Sequence, residues 1–321
     1  MVIIGCGRIV ELAHGPALRR AAGFGVTALV DPSAERRAAV AALLGAQDVV
    51  HAEEPSPDLV RDAVVVLASP SPLRSELMGR VVSHARAVVV EKPLVSRTED
   101  APEVLEGAYS ADTHLVPVHN WLYDPAVAEL GARVASGWLG ELRSMSYYHH
   151  TTGPFAGAWA HRPLWRADDP GGCLADLGYH ACYLVGAVVG RPTGIEVSAS
   201  TRTAGVLTSA RVVLRTATGV DCRVAVSWSA ARPEFRIRVV GSRATAEVGD
   251  DGVLTLHRDG RTDELRHPAG FPVAYRRFYH DVADRVRHAP DYCDATAAVL
   301  ITRLMEEAIA GAPRREERSA R

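Results

Sequence analysis

Over roughly the first 120 residues, short runs of β-branched and other apolar residues alternate with Ala-, Arg- and Leu-rich stretches of helical period. The runs are apolar on both sides rather than on every second residue, as expected of strands covered by helices on both faces of a parallel sheet. The pattern predicts strands at Val2–Ile4, Val26–Asp31, Asp48–His51, Ala63–Ala68, Ala87–Val90 and His114–Val118. Helices are predicted between them at Arg8–Ala22, Ala34–Leu44, Arg74–His84 and Pro102–Tyr109. This repeated β-α-β order predicts a doubly wound parallel sheet.

From about Gly140 the pattern changes. Strict alternation appears in Arg211–Leu214, Arg223–Trp228 and Phe235–Val240, separated by turn signals such as Thr218-Gly219, Asp250-Asp251-Gly252 and Asp259-Gly260. A mostly antiparallel sheet follows, with one face on helices and the other facing solvent or a subunit. Helical periods at Asp176–Val189, Val273–Arg287 and Ala295–Ala310 are expected to cover its buried face. The expected fold class is α/β. It consists of an N-terminal domain over 1–119, a C-terminal α/β domain on an open sheet over 120–313, and a charged, frayed tail over 314–321.

Composition narrows the partners. With 47% hydrophobic and 23% charged residues the chain can bury large cores, and its 36 basic and 38 acidic residues leave a formal charge of −2. No basic patch or charge run points to nucleic acid or a membrane surface, so a small molecule is the expected partner. Five scattered cysteines, none in a CxxC pair, argue against a disulfide framework or a zinc site and for the cytoplasm. Met1 runs directly into Val2-Ile3-Ile4 with no signal-like segment, so neither secretion nor membrane insertion is expected.

Gly5-Cys6-Gly7-Arg8-Ile9-Val10 follows the first strand and opens a helix, where free amides and the positive helix end suit a pyrophosphate. A tight structural turn has the same appearance. Asp31 ends the second strand about 20 residues on, the offset of the carboxylate that holds ribose hydroxyls in dinucleotide sites. It would repel a 2'-phosphate, which favours NAD, while Arg36 and Arg37 leave NADP open. A helix cap is the competing reading of Asp31, with Ser33 an equal competitor for that role. Ser69-Pro70 ends the fourth strand and Glu91-Lys92-Pro93 the fifth, at the carboxyl edge where ligands sit in such sheets. An exposed loop lysine is the alternative for Lys92.

Gly171-Gly172 precede a helical segment in which Asp176 and His180 stand four residues apart, on one face near its amino end. The pair can bind a diol and shuttle its proton, or serve only as hydrogen bonds at a helix start. No metal is expected, since further ligands at defined spacing are missing. His149-His150 read as strand or surface rather than as a site.

Together these motifs resemble the glucose-fructose oxidoreductase / inositol dehydrogenase / rhizopine-catabolism protein family. The glycine loop, Asp31-Pro32, the Ser69-Pro70 loop, Glu91-Lys92-Pro93, Gly137-Trp138-Leu139-Gly140-Glu141 and the Gly171–His180 segment carry the resemblance. It implies a Rossmann domain, a C-terminal domain whose open sheet builds dimers or tetramers, and a nicotinamide cofactor held by Gly5, Gly7, Arg8, Ile9, Asp31, Ser69, Pro70, Glu91 and Lys92. It also implies that Lys92 lies beside the nicotinamide, that Asp176 binds substrate, that His180 is the acid/base, and that the Lys92-Pro93 bond is cis.

The expected reaction interconverts a secondary alcohol and a ketone on a sugar, nucleotide-sugar or cyclitol. Lys92 and His180 converge on the substrate from the two domains, and Asn120, Tyr123, Trp165 and Arg166 line the pocket. Two alternatives stay open: a glycosidase that oxidises its sugar transiently while retaining NAD, and a ligand-sensing regulator without catalysis. Val10 stands where the family has alanine or glycine, and Arg74 where it commonly has histidine.

Overall fold

The computed structural model of the chain describes residues 1–21, 23–46, 48–153 and 169–313. The chain divides into two compact units, one of Met1–Tyr123 with Phe271–Thr302 and one of Asp124–Gly270 with the chain from Arg303 on.

The first unit is built on six parallel strands: β1 (Val2–Ile4), β2 (Ala28–Val30), β3 (Val50–Ala52), β4 (Val64–Leu67), β5 (Ala87–Val90) and β6 (His114–Pro117). Their order is β3-β2-β1-β4-β5-β6, with the direction of winding switching between β1 and β4. The continuous apolar runs are explained by burial on both faces. Val2, Ile4, Val65, Leu67, Val88 and Val90 point into one buried cluster. Ile3, Leu29, Val66, Val89 and Val116 point into the other.

The intervening helices are α1 (Gly15–Leu18), α2 (Ala34–Leu44), α3 (Pro57–Val60), α4 (Arg74–Val81) and α5 (Ala101–Ser110). Helix α2 has the expected bounds, with the Ser33 hydroxyl accepting from the Arg36 amide and Gly45 ending it in the left-handed region. The single helix expected over Arg8–Ala22 is instead a π turn, Val10–His14, followed by the four residues of α1. Pro16 has no N–H to continue an α-helical ladder, and the Gly15 amide reaches back five residues to the Val10 carbonyl.

The second unit carries α6 (Pro125–Ala135), capped by the Asp124 carboxylate on the amides of Ala126 and Val127, and α7 (Tyr179–Val188). Its strands are β7 (Leu142–His150), β8 (Pro192–Thr203), β9 (Val206–Thr216), β10 (Cys222–Ser227), β11 (Glu234–Gly241), β12 (Thr245–Gly249), β13 (Val253–Arg258) and β14 (Arg261–Arg266). They form a sheet of order β14-β13-β12-β11-β7-β10-β9-β8, antiparallel except for β7 beside β10. The alternation read in β11 holds: Phe235, Ile237 and Val239 are buried, while Arg236 and Arg238 lie opposite Tyr148 and Ser146 on the other face. Helices α6 and α7 pack on the buried face.

Helix α8 (Phe271–Arg285) corrects one expectation. Placed by its sequence position with the antiparallel sheet, it packs instead in the first unit, where Tyr275, Phe278, Tyr279 and Val282 enter the core beside Val10, Val89 and Val116. The start of α9 (Cys293–Gly311) does likewise through Ala295 and Ala298. The unit corresponding to the domain expected over 120–313 therefore lacks 120–123 and 271–302. No helix among the described residues is long and apolar enough to cross a membrane.

Candidate active site

The glycine loop joins β1 to the π turn. Gly5 has φ +91°, and a Cβ there would stand 2.7 Å from the Ser69 amide nitrogen, so the loop closes against the end of β4 only with glycine. Among the described residues a Cβ at Gly7 would meet nothing within 4 Å, which leaves its backbone open to close approach. Asp31 is buried at the end of β2. Its Oδ2 accepts from the Cys6 amide and its Oδ1 from the Ser33 amide, both at 2.9 Å. Ser33, not Asp31, caps α2, so the carboxylate ties the glycine loop to the second strand. Arg37 is buried and donates to the Asp31 carbonyl, while Arg36 is half-buried. Arg8 pairs with Glu11 at 2.8 Å, and Ile9 directly precedes the π turn.

At the ends of β4 and β5 a single guanidinium joins two loops. Arg74 is 2% exposed and donates to the carbonyls of Ser69 (2.7 Å) and Pro93 (2.6 Å). Pro70 precedes the turn that leads into Arg74, and the Lys92-Pro93 bond is cis. The Ser69 hydroxyl is buried with no hydrogen-bond partner among the described residues. A hydroxyl left so at a strand end is one that a ligand would satisfy. With the open approach at Gly7 and the Asp31 carboxylate, it shows that these residues fit a dinucleotide.

Glu91 turns inward: its Oε1 accepts from the Tyr275 hydroxyl at 2.7 Å and from Nε2 of His14 at 3.0 Å. Asn120 is buried in the 3₁₀ turn after β6. Tyr123, expected to line a pocket, donates its hydroxyl to Asp281 at 2.5 Å and packs on Phe278. Asp281 and Asp294 flank Arg285 at 2.7 and 2.5 Å, so this hydroxyl belongs to an ion-pair network within the first unit.

The second unit holds the other group. Gly172 has φ +43°, and a Cβ there would meet the Leu207 carbonyl oxygen at 2.1 Å, so the start of this segment lies tight on β9. A π turn, Leu174–Gly178, carries half-buried Asp176, and α7 carries buried His180. His180 Nδ1 lies 2.8 Å from the Tyr183 hydroxyl, one turn on. The Tyr147 hydroxyl lies 2.9 Å from His149 Nδ1. Burial first, and the nearby Asp176 carboxylate second, push the Tyr147 phenol well above its ordinary range. His149, which the sequence pattern set aside, has its ring 6.3 Å from that of His180. Trp165 and Arg166 lie outside the described residues.

Residues 1–119 match the family described as "Oxidoreductase family, NAD-binding Rossmann fold", and residues 127–247 match "GFO/IDH/MocA C-terminal domain". The chain belongs to the GFO/IDH/MocA family.

Among curated relatives, the D-xylose dehydrogenase of Paenarthrobacter nicotinovorans is 24% identical over 222 residues, 66% of this chain and 47% of that protein. The scyllo-inositol 2-dehydrogenase (NADP(+)) of Bacillus subtilis is 26% identical over 77% of this chain and 73% of its own. The matched stretch thus spans about half the length of the first relative. Among solved structures, a levoglucosan dehydrogenase in complex with NADH and levoglucosan has TM-score 0.83 at 15% identity, covering 97% of this chain and 96% of that one. A 3-ketoreductase from Actinomadura kijaniata in complex with NADP has TM-score 0.78 at 20% identity, covering 98% and 97%. At these identities the two structures establish a shared fold.

The two departures from the GFO/IDH/MocA pattern now have local accounts. Val10 is fully buried at the start of the π turn, so the larger side chain is accommodated where the helix is widest. Arg74 carries the carbonyls of both loops at the sheet edge.

Proposed function

We propose that this GFO/IDH/MocA chain interconverts a secondary alcohol and a ketone on a sugar, nucleotide-sugar or cyclitol, with NAD as the favoured cofactor. The observation that carries the reading is His180, a buried imidazole whose Nδ1 is held by Tyr183 on the same helix. With the Tyr183 hydroxyl donating to Nδ1, proton exchange with a substrate hydroxyl falls to Nε2. Asp176 accepts hydrogen bonds from the substrate, and the Lys92 ammonium stabilises charge developing on its oxygen. Bound NAD supplies the hydride acceptor and donor at its nicotinamide ring. Gly5, Gly7, Arg8, Ile9, Asp31, Ser69, Pro70, Glu91 and Lys92 hold it, and the Asp31 carboxylate selects against a 2'-phosphate.

The sugar and cyclitol dehydrogenase relatives and the NAD-binding family support this reading. The open face of the eight-stranded sheet, with Tyr148, Arg236 and Arg238 on it, suits association with a second copy, and light scattering tests that. Five cysteines free of disulfides are consistent with the reducing cytoplasm.

The test is a fluorescence titration with NADH and NADPH, followed by a polyol and keto-sugar panel with both cofactors. On the substrate found, Lys92→Ala and His180→Ala should each lower turnover by about 10²–10⁴-fold. Near-normal turnover in both, with folding intact, would sink the assignment.

A further inference from the structure

The proposed reaction places Glu91 among the residues that hold the cofactor but gives its buried charge no part in the chemistry. Glu91 sits at the carboxyl end of β5 with a side chain 10% exposed. Both of its hydrogen-bond donors, His14 Nε2 and the Tyr275 hydroxyl, address the same oxygen, Oε1. The other ring nitrogen of His14, Nδ1, lies 2.5 Å from the Tyr279 hydroxyl.

The carboxylate is therefore held by one side chain from the π turn and one from α8. Arg74, from α4, His119, after β6, and Tyr279, from α8, also face it. Burial pushes the Glu91 carboxyl up. The hydrogen bond and charge of His14, then the hydrogen bond from Tyr275 and the charge of Arg74, more than reverse this and keep it ionised. A buried anion costs several kcal/mol that an apolar side chain of similar size would not, so packing does not account for it.

Its position in the sheet does. Asp31 ends β2, on one side of the switch between β1 and β4, and Glu91 ends β5 on the other. A dinucleotide laid across a switch point with its adenosine ribose at Asp31 has its nicotinamide half over β4 and β5. That ring is cationic when oxidised and neutral when reduced. We propose that Glu91, oriented by His14 and Tyr275, is a charge-setting residue that favours the oxidised over the reduced cofactor. The effect acts through space in a low-dielectric setting, where one unit charge counts for more than in water. The inference rests on the cofactor placement of the preceding section.

The experiment measures Kd for NADH by fluorescence and for NAD+ by competition, on the intact wild-type chain and on Glu91→Gln and Arg74→Gln. Glu91→Gln keeps the shape and removes the charge, so Kd(NAD+)/Kd(NADH) should rise at least threefold. Arg74→Gln removes the neighbouring cation and should move the ratio the other way. A folded Glu91→Gln whose ratio rises less than threefold overturns the inference, even if both affinities fall together, and leaves the cofactor placement standing. If Glu91→Gln does not fold, an Arg74→Gln ratio that is unchanged or raised overturns it. A wild type that binds neither form overturns the placement and the inference with it.

Discussion

The Cys6 amide donates to Asp31 Oδ2 at 2.9 Å, so the carboxylate that would read the cofactor ribose also closes the loop that would hold the pyrophosphate. Its second oxygen is engaged by the Ser33 amide. Asp31→Asn has a single acceptor oxygen, and its NH₂ must face one of these two amides. Stability should fall by about 1–2 kcal/mol, the cost of one buried donor left unpaired. Removing the negative charge should also lower Kd for NADP relative to NAD by about tenfold, because like-charge repulsion of the 2'-phosphate is relieved. Parallel titrations with both cofactors check this, and an unchanged ratio removes Asp31 from cofactor selection.

Gly5 and Gly7 should separate folding from binding. At Gly5 an alanine would take φ +91° and place its Cβ against the Ser69 and Ala68 backbone. The cost combines about 1–2 kcal/mol for the left-handed conformation with about 1–3 kcal/mol for overpacking. At Gly7 the new methyl meets no atom of the described residues within 4 Å, so thermal melting should barely change. Cofactor affinity should instead fall by about tenfold or more as the methyl occupies the approach to the backbone. Wild-type affinity in Gly7→Ala would mean that the pyrophosphate does not pass there.

How much of this was legible in the sequence depended on how local the cause is. The apolar runs of β1, β4 and β5 announce two-sided burial by themselves, and Ser33 and Gly45 bracket α2 within its own residues. The amphipathic period of α8 shows that one face is buried but not against which sheet, and it packs in the first unit. Strand β14, Arg261–Arg266, has no buried face and so no alternation to read. Tyr123 is a plausible pocket residue by type, yet its partner Asp281 lies 158 positions away. His149 comes beside His180 only through the packing of β7 near α7, which a paired-histidine motif does not encode.

The thiols should divide one to four. Cys6, Cys173, Cys182 and Cys222 are buried and Cys293 is exposed. Burial pushes the thiols of Cys6, Cys182 and Cys222 up to about 12 and that of Cys173 upward as well. Since the thiolate is the reactive form, native protein at pH 8 should release one equivalent with a thiol-disulfide reagent, and denatured protein five. Cys293 should itself react more slowly than a free thiol, because a hydrogen bond and the charge of Asp291 raise its pKa. Peptide mapping that finds label on Cys6 in native protein would contradict the packing of the glycine loop.

His119 should make the protein labile to mild acid. Burial, with Arg285 adding to it and Asp294 and Glu91 opposing, lowers its pKa from 6.5 to about 4. A folded-state pKa below the unfolded one means that, between pH 6.5 and 4, the unfolded chain binds the extra proton, so stability falls as pH falls through that window. At pH 5 the loss from this group is about 2 kcal/mol relative to pH 7.5, approaching roughly 3 kcal/mol near pH 4. Glu91, whose carboxyl is held low, adds to the loss only once pH falls into the ordinary carboxylate range and below, so at pH 5 the loss is mainly that of His119. Urea unfolding of wild type and His119→Gln at pH 7.5 and pH 5 checks the assignment. The variant should start less stable yet lose about 2 kcal/mol less on acidification, and equal losses in the two proteins would move the acid sensitivity to another group.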